Sequence, residues 1–349
     1  MKKVYAVHEY GSPSHFNALD YLINFNGGVL KYRELNLFKQ LGSSIKNLNI
    51  IKFRKFILNL FFLLTIFFHK PCKIVLGIAP YNYNLWFLRL LFLRHEVYYF
   101  TSYTCWDQTR MVHSKFYSDR LLNIWRNFLK NEVKHIFAVS EVTKNELIKN
   151  DFSSQDRITV VNHSFKSDIV LPLHTIKTLN FICVSALKKS KGIDKLLDIF
   201  KKRPDLNLTI VGTGELIADV QDAANNYSNI KYLGFIKSFD DLIKIYCDHS
   251  FLLLNSQRTA KWEELFGMVV IEAMACGVIP ITTDHPGPKE IISHGLDGFI
   301  CDESNIIDGI NTAIAMTDEE YFKIRARAIT CGAKFSSAKI SAKWKFIFN

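Results

Sequence analysis

Two carboxylates eight positions apart, Glu264 and Glu272, are the residues of this 349-residue sequence whose spacing points most directly to chemistry. Residues 268–276, Met-Val-Val-Ile-Glu-Ala-Met-Ala-Cys, are apolar on every helical face, and Glu272 is their only charge. Gly277 stops the run as a glycine just past a helix does, and the strand Val278-Ile279-Pro280-Ile281-Thr282-Thr283 follows. A helix apolar all round is a buried helix, and a carboxylate inside it is costly unless a partner hydrogen-bonds or neutralises it. Glu264 stands beside Phe266-Gly267, where the chain turns into that helix. The two acids therefore flank a helix N-terminus whose free N–H groups favour phosphate. A molecule carrying ribose hydroxyls, phosphates and sugar hydroxyls in a row would satisfy all three groups. On these residues alone a second arrangement fits equally: Glu272 paired with a core Lys or Arg, and Glu264 solvated in a loop.

The elements that must position these acids alternate regularly. After residue 180 the sequence predicts strands at 181–184, 208–211, 230–233 and 251–254, separated by helices at 192–202, 215–225 and 239–247. Repeated strand–helix alternation gives a parallel sheet with helices on both faces. The first half predicts strands at 4–7, 73–77, 97–101, 135–139 and 157–161, helices at 15–25 and 84–94, and an N-cap at Ser140. Residues 166–178, with Pro172 and mixed polarity, read as a linker. Phe335 to Phe348 reads as an amphipathic helix.

Charge divides the chain. Residues 1–170 hold 23 Lys and Arg against 12 Asp and Glu, whereas residues 171–349 hold 21 of each, so the net +11 sits entirely in the first half. Hydrophobic residues at 48% and charged residues at 22% exclude a disordered chain. The seven scattered cysteines form no Cys-x-x-Cys pair, and no signal peptide is visible after Lys2-Lys3, so reduced thiols and a cytoplasmic location are expected.

The stretch from Glu264 to Glu272, with Asp284-His285-Pro286-Gly287-Pro288-Lys289-Glu290 behind it, resembles the E-x7-E signature and following loop of glycosyltransferase family 4. That resemblance implies the GT-B fold, an α/β architecture of two facing Rossmann-like domains: 1–168 for the acceptor, 169–334 for a nucleotide-sugar donor, and 335–349 as a helix crossing back. It implies that Glu264, aided by the backbone at Phe266 and Gly267, holds the transferred sugar, and that Glu272 holds the ribose. Lys191-Gly192 is similar to the family's Lys-Gly pair, so Lys191 would offset charge on the leaving diphosphate. Ser185-Ala186 stands where the family has Gly-Arg, and Lys188 or Lys189 is expected to compensate. Gly212 and Gly214 resemble a turn beside the nucleotide, and Gly234-Phe235-Ile236 the region near the base. Transfer with retention and without a metal is implied; no Asp-x-Asp motif is present.

The acceptor side is open. Tyr99–Asp107 contains no histidine where the family has one; Asp107 at its end, with Arg110 and His113 close behind, is one candidate group, and His8, Gly11 and His15 form an N-terminal alternative. The apolar run 56–68 is too short to span a bilayer, which takes about 20 residues. It reads either as a core helix or as a basic-flanked helix on an anionic membrane, since residues 31–134 carry 17 Lys and Arg against 5 acids. No nucleic-acid motif accompanies this charge. The expected partners are therefore a nucleotide sugar, a lipid-linked glycan acceptor for capsule, O-antigen or lipopolysaccharide, and the inner face of the plasma membrane. A nucleotide-sugar epimerase and a nucleotide-binding dehydrogenase are the rival readings.

Overall fold

A computed structural model of the chain describes residues 3–46, 48–107, 118–166, 169, 177–260 and 262–348. The chain divides into one unit of Met1–Ser164 with Ser337–Asn349 and a second of Phe165–Ser336.

In the first unit the order is β1 (Lys3–His8), α1 (Asn17–Phe25), β2 (Val29–Glu34), α2 (Leu37–Lys46), α3 (Ile50–Thr65), β3 (Lys73–Gly77), α4 (Leu85–Leu91), β4 (Glu96–Thr101), α5 (Asp119–Asn127), β5 (Ile136–Ala138), α6 (Glu141–Lys149) and β6 (Ile158–Val160). Its strands pair in parallel in the order β2-β1-β3-β4-β5-β6, with Val4 opposite both Leu30 and Lys73. The step from β1 to β2 runs one way along the sheet, and the steps from β2 to β3 and from β3 to β4 run the other. Right-handed crossovers therefore place α1 on one face and α3 with α4 on the opposite face. The core agrees: Tyr5, Val7, Ile74 and Leu76 pack with Phe62 and Ile66 of the α3 region and with Leu85 and Leu88 of α4.

The second unit runs β7 (Asn180–Val184), α7 (Ile193–Lys201), β8 (Asn207–Val211), α8 (Ile217–Asn226), β9 (Ile230–Tyr232), α9 (Phe239–Cys247), β10 (Phe251–Leu254), α10 (Met268–Ala275), β11 (Ile279–Thr283), α11 (Pro286–Ile291), β12 (Phe299–Cys301), α12 (Ile306–Ala315) and α13 (Asp318–Gly332). Its sheet is also parallel, in the order β12-β11-β10-β7-β8-β9. In both sheets the strand order reverses once, between β1 and β3 and between β7 and β10. The loops after those strands are where an open parallel sheet binds ligands.

The predicted elements of the second half are present with boundaries displaced by a residue or two. The edge strand β2 and the helices α2 and α5 in the first half, and β12, α12 and α13 in the second, have no counterpart among the elements read from sequence. In β2 only Leu30 is fully buried, so its sequence lacks the apolar run of an inner strand. The C-terminal segment departs from the expected amphipathic helix. It is α14 (Ser337–Ser341) followed by a 3₁₀ stretch, Ala342–Phe348. The spacing explains the change: Ser341, Trp344 and Ile347 are buried at intervals of three, which eclipse in a 3₁₀ helix and not in an α-helix. The Trp344 ring packs 4.3 Å from Phe137 and 5.6 Å from Phe100, centroid to centroid. Trp344→Ala is expected to cost about 3–5 kcal/mol, read as a lower denaturation midpoint.

Candidate functional site

At the switch point of the second sheet, the loop after β7 meets the loop after β10. Leu187 N–H donates to Thr213 O and Gln257 N–H to Ser190 O, so the ends of β7, β8 and β10 are tied into one surface. Gly212 lies at φ +142°, and a Cβ there would stand 1.9 Å from Ser185 O; the turn after β8 accepts no larger residue. Gly192 follows a 3₁₀ turn, Lys189–Lys191, and opens α7. That turn and the Lys188 before it send three lysines different ways. Lys188 and Lys189 are exposed, whereas Lys191 turns inward and forms an ion pair with Glu264. The indole of Trp262 covers the ammonium, with the ring centroid 4.5 Å from Lys191 Nζ, a distance at which ring and cation attract.

Glu264 is held from three directions. Ser256 Oγ donates to its carboxylate at 3.0 Å, its own N–H donates to His285 Nδ1 at 3.1 Å, and its carbonyl accepts from Gly287 N–H at 3.2 Å. Because His285 Nδ1 accepts, Nε2 carries the proton and donates to Ser256 O at 2.9 Å. One fully buried imidazole thus clamps the β10 loop to the start of α11. Gly287 permits the contact: a Cβ there would meet the Phe266 backbone at 2.3 Å. Gly267, in a left-handed conformation, then opens α10, with no side chain capping its first N–H groups.

Glu272 lies one turn from the C-terminal end of α10. Its carboxylate accepts from the buried Tyr246 hydroxyl at 3.4 Å, and among the described residues no Lys, Arg or His forms an ion pair with it. Burial, only partly offset by that hydrogen bond, raises its pKa from 4.5 to about 7. Among the described residues, the alternative of a core ion pair at Glu272 finds no partner. Phe235, 69% exposed, and Ile236 follow Gly234 in the loop after β9, and Gly234 O accepts from Gly212 N–H at 2.8 Å.

The first sheet has its own pocket at its switch point, about 300 Å³ including open solvent, lined by His8, Glu9, Tyr10 and His15, the loop after β3, and residues 100–103. Glu9 accepts from Ala79 N–H at 3.2 Å, and His8 Nδ1 from Tyr10 N–H at 3.1 Å. The His8 and His15 rings lie 5.5 Å apart, and the His15 ring packs 4.4 Å from that of His163, tilted by 36°. Burial, and for His8 also the neighbouring His15, lowers both His8 and His15 to about 4, so both imidazoles are neutral near pH 7. Gly11, at φ +69°, lies against the Glu34 carboxylate. Asp107 lies in the irregular segment after β4, and Arg110 and His113 fall outside the described residues. No described group of three or more His, Cys, Asp or Glu residues could hold a metal ion.

Ser256, Trp262, His285, Tyr246 and His163 were not named as site residues from sequence. Ser256 lies two residues beyond a strand at the switch point, the one positional signal that could have found it.

Residues 174–334 match the model of a family described as Glycosyl transferases group 1. An uncharacterized glycosyltransferase of Methanocaldococcus jannaschii is 33% identical over 173 residues, covering 49% of this chain and 46% of that protein. The chain spans about half the length of the curated relatives it matches, 46% and 60% of two of them. Among solved structures, Anabaena HepE in complex with UDP aligns with a TM-score of 0.69 at 16% identity, covering 99% of this chain and 98% of that one. The lipopolysaccharide outer core galactosyltransferase WaaB aligns with a TM-score of 0.63 at 15% identity, covering 100% and 99%. The two six-stranded parallel sheets have the GT-B fold.

The raised Glu272 pKa makes a signed prediction. Below pH 4.5 folded and unfolded states are both protonated and the group costs nothing. Between pH 4.5 and about 7 the unfolded chain gives up this proton first, so stability falls as pH rises, and above about 7 the penalty is complete. Glu272→Gln should therefore raise the stability of the ligand-free protein at pH 8 by on the order of 2–3 kcal/mol, with little gain at pH 4.5. Urea denaturation at the two pH values checks it.

Proposed function

We propose that the chain is a retaining glycosyltransferase of family 4, moving a sugar from a nucleoside-diphosphate donor to a hydroxyl of a glycan. The observation that carries the reading is the pairing of Lys191 with Glu264 at the switch point of the second sheet, with Glu272, eight residues on, forming no ion pair with any Lys, Arg or His among the described residues. In this reading the ribose diol donates to Glu272, and the diphosphate lies against the turn at Lys191 and the uncapped start of α10. Glu264 accepts from hydroxyls of the transferred sugar, and Ser256 and His285 fix its orientation. The bond from the anomeric carbon to the phosphate oxygen breaks and a bond to the acceptor oxygen forms on the same face. The acceptor proton passes to the departing phosphate oxygen, whose developing charge Lys191 offsets.

Support for the activity comes from the group 1 match over residues 174–334 and from the UDP named in the HepE structure. WaaB, with the same fold, is named for the lipopolysaccharide outer core, which favours a bacterial surface glycan as product. We take the acceptor to be lipid-linked, met at the inner face of the plasma membrane; no described helix is long and apolar enough to cross one. The cation at the diphosphate is a lysine, so no metal is required in this account, and transfer should survive chelation of divalent ions. Neither rival gains support: β7 is followed by Ser185-Ala186-Leu187-Lys188, not a dinucleotide fingerprint, and an epimerase would need no acceptor.

Glu264→Gln keeps the shape of the loop and removes the charge. It should fold as the parent does and lower the rate of transfer by on the order of 10²–10³, assayed as sugar incorporated into acceptor. Full turnover by this variant overturns its assigned role. Nucleoside diphosphates should raise the melting temperature of the parent, because they bind only the folded state, by an amount equivalent to about 2.7 kcal/mol at a hundredfold excess over Kd.

A further inference from the structure

Helix α3 is built inside out. Its inward edge is Asn59, Phe62 and, just beyond the helix, Ile66, all buried, and the polar Asn59 is satisfied there by Gln40 at 2.9 Å and by Glu34 N–H at 3.3 Å. Its outward edge carries Ile50, Ile57, Phe61 and Leu64, continued by Phe68, all between 45% and 82% exposed. These positions follow the three- and four-residue spacing of one helical stripe. A helix facing water would place Asn59 outside and Phe61 inside. On the same face of the sheet, α4 exposes Trp86 and Leu90, and Leu93, two residues past its end, is exposed too.

The charge around this face has one sign. From residue 35 to residue 95 the sequence holds nine Lys and Arg and no acidic residue. Three of the nine reach acids outside that span, in the pairs Lys55–Glu34, Lys73–Glu96 and Arg89–Glu132. Lys39, Lys46, Lys52, Arg54, Lys70 and Arg94 are exposed and have no acidic partner among the described residues. An apolar patch of this extent marks an interaction surface. Two copies pressed together would set these cations against one another with no acid between them. A stripe of nucleic acid would satisfy the cations and leave the aliphatic face wet. An anionic bilayer satisfies both.

We propose that the outer face of α3, continued by α4, seats this chain on a bilayer containing anionic lipid, with its Ile, Leu and Phe side chains among the acyl chains and its cations at the phosphate headgroups. This deepens the reading above, resting on it for the membrane-borne acceptor and not for the attachment itself.

Flotation of the full chain with vesicles of phosphatidylglycerol and phosphatidylcholine in equal parts tests it, against vesicles of phosphatidylcholine alone. The parent should float with the mixed vesicles at low salt and lose binding as salt rises. The triple variant Phe61→Ser/Leu64→Ser/Phe68→Ser alters only exposed side chains, and its nucleoside-diphosphate thermal shift reports that it is folded. It should bind at least about tenfold less, yet still glycosylate a water-soluble acceptor. Lys52→Glu/Arg54→Glu should bind more weakly and show a shallower salt dependence. Failure of the parent to bind, or parent-like binding by the triple variant, overturns the proposal. So does a concentration-dependent dimer that the triple variant abolishes, or displacement of the protein from vesicles by a polynucleotide. Glu264→Gln separates the two readings: it should float like the parent, and flotation without transfer by any form leaves the surface standing while the transferase reading falls.

Discussion

An acid with a hydroxyl for company and, among the described residues, no cation is the constraint on which the second unit turns. Glu272 sits in a helix whose other side chains are almost all apolar, and the Tyr246 hydroxyl at 3.4 Å does not cancel the cost of burying its charge. A sequence selected for stability alone would replace such a group or pair it. The structure instead builds around it. α10 packs on α13 so closely that a Cβ at Gly332 would lie 2.3 Å from Ala275 N. β11 follows immediately, wholly buried. The cost of a carboxylate met by one hydroxyl is thus held in a rigid setting, and in the proposed reading a ligand's hydroxyls relieve it.

Glu264 presents the opposite case. Its charge is met by Lys191, and its position is fixed by Ser256, by His285 and by the close approach at Gly287. The ion pair is partly buried, with side-chain exposures of 18% and 13%, so both groups are partly desolvated before any ligand arrives. In the proposed reading such a pair is preorganised for a molecule that brings its own negative charge to the lysine and its own hydroxyls to the acid. The two carboxylates divide the work: one is neutralised in advance and positioned, the other is left wanting.

Much of the second unit is legible in the sequence because its signals are periodic. Strands such as Phe251–Leu254 read as short apolar runs, and Glu272 stands out because nothing else in 268–276 is charged. Contacts made by loops carry no period. Trp262 over Lys191 joins residues 71 positions apart, and the ring contact of His15 with His163 spans 148. Sequence also cannot say which lysine of Lys188-Lys189-Ser190-Lys191 points inward, because that depends on one 3₁₀ turn before Gly192. In the first unit the run 56–68 was ambiguous for a physical reason. Composition alone does not tell a core helix from one whose apolar face is outside, and only the inward placement of Asn59 separates them.

The central claim of the proposed reading is that Glu272 has no cationic partner among the described residues because it waits for the diol of a nucleotide. Its own titration, followed by NMR of a labelled carboxyl carbon, tests this most directly. Free protein should show a midpoint near 7, and saturation with a nucleoside diphosphate should bring that midpoint down toward the ordinary carboxylate range near 4.5, since hydroxyls donating to the charged form favour it. A midpoint that stays near 7 with nucleotide demonstrably bound would contradict the account.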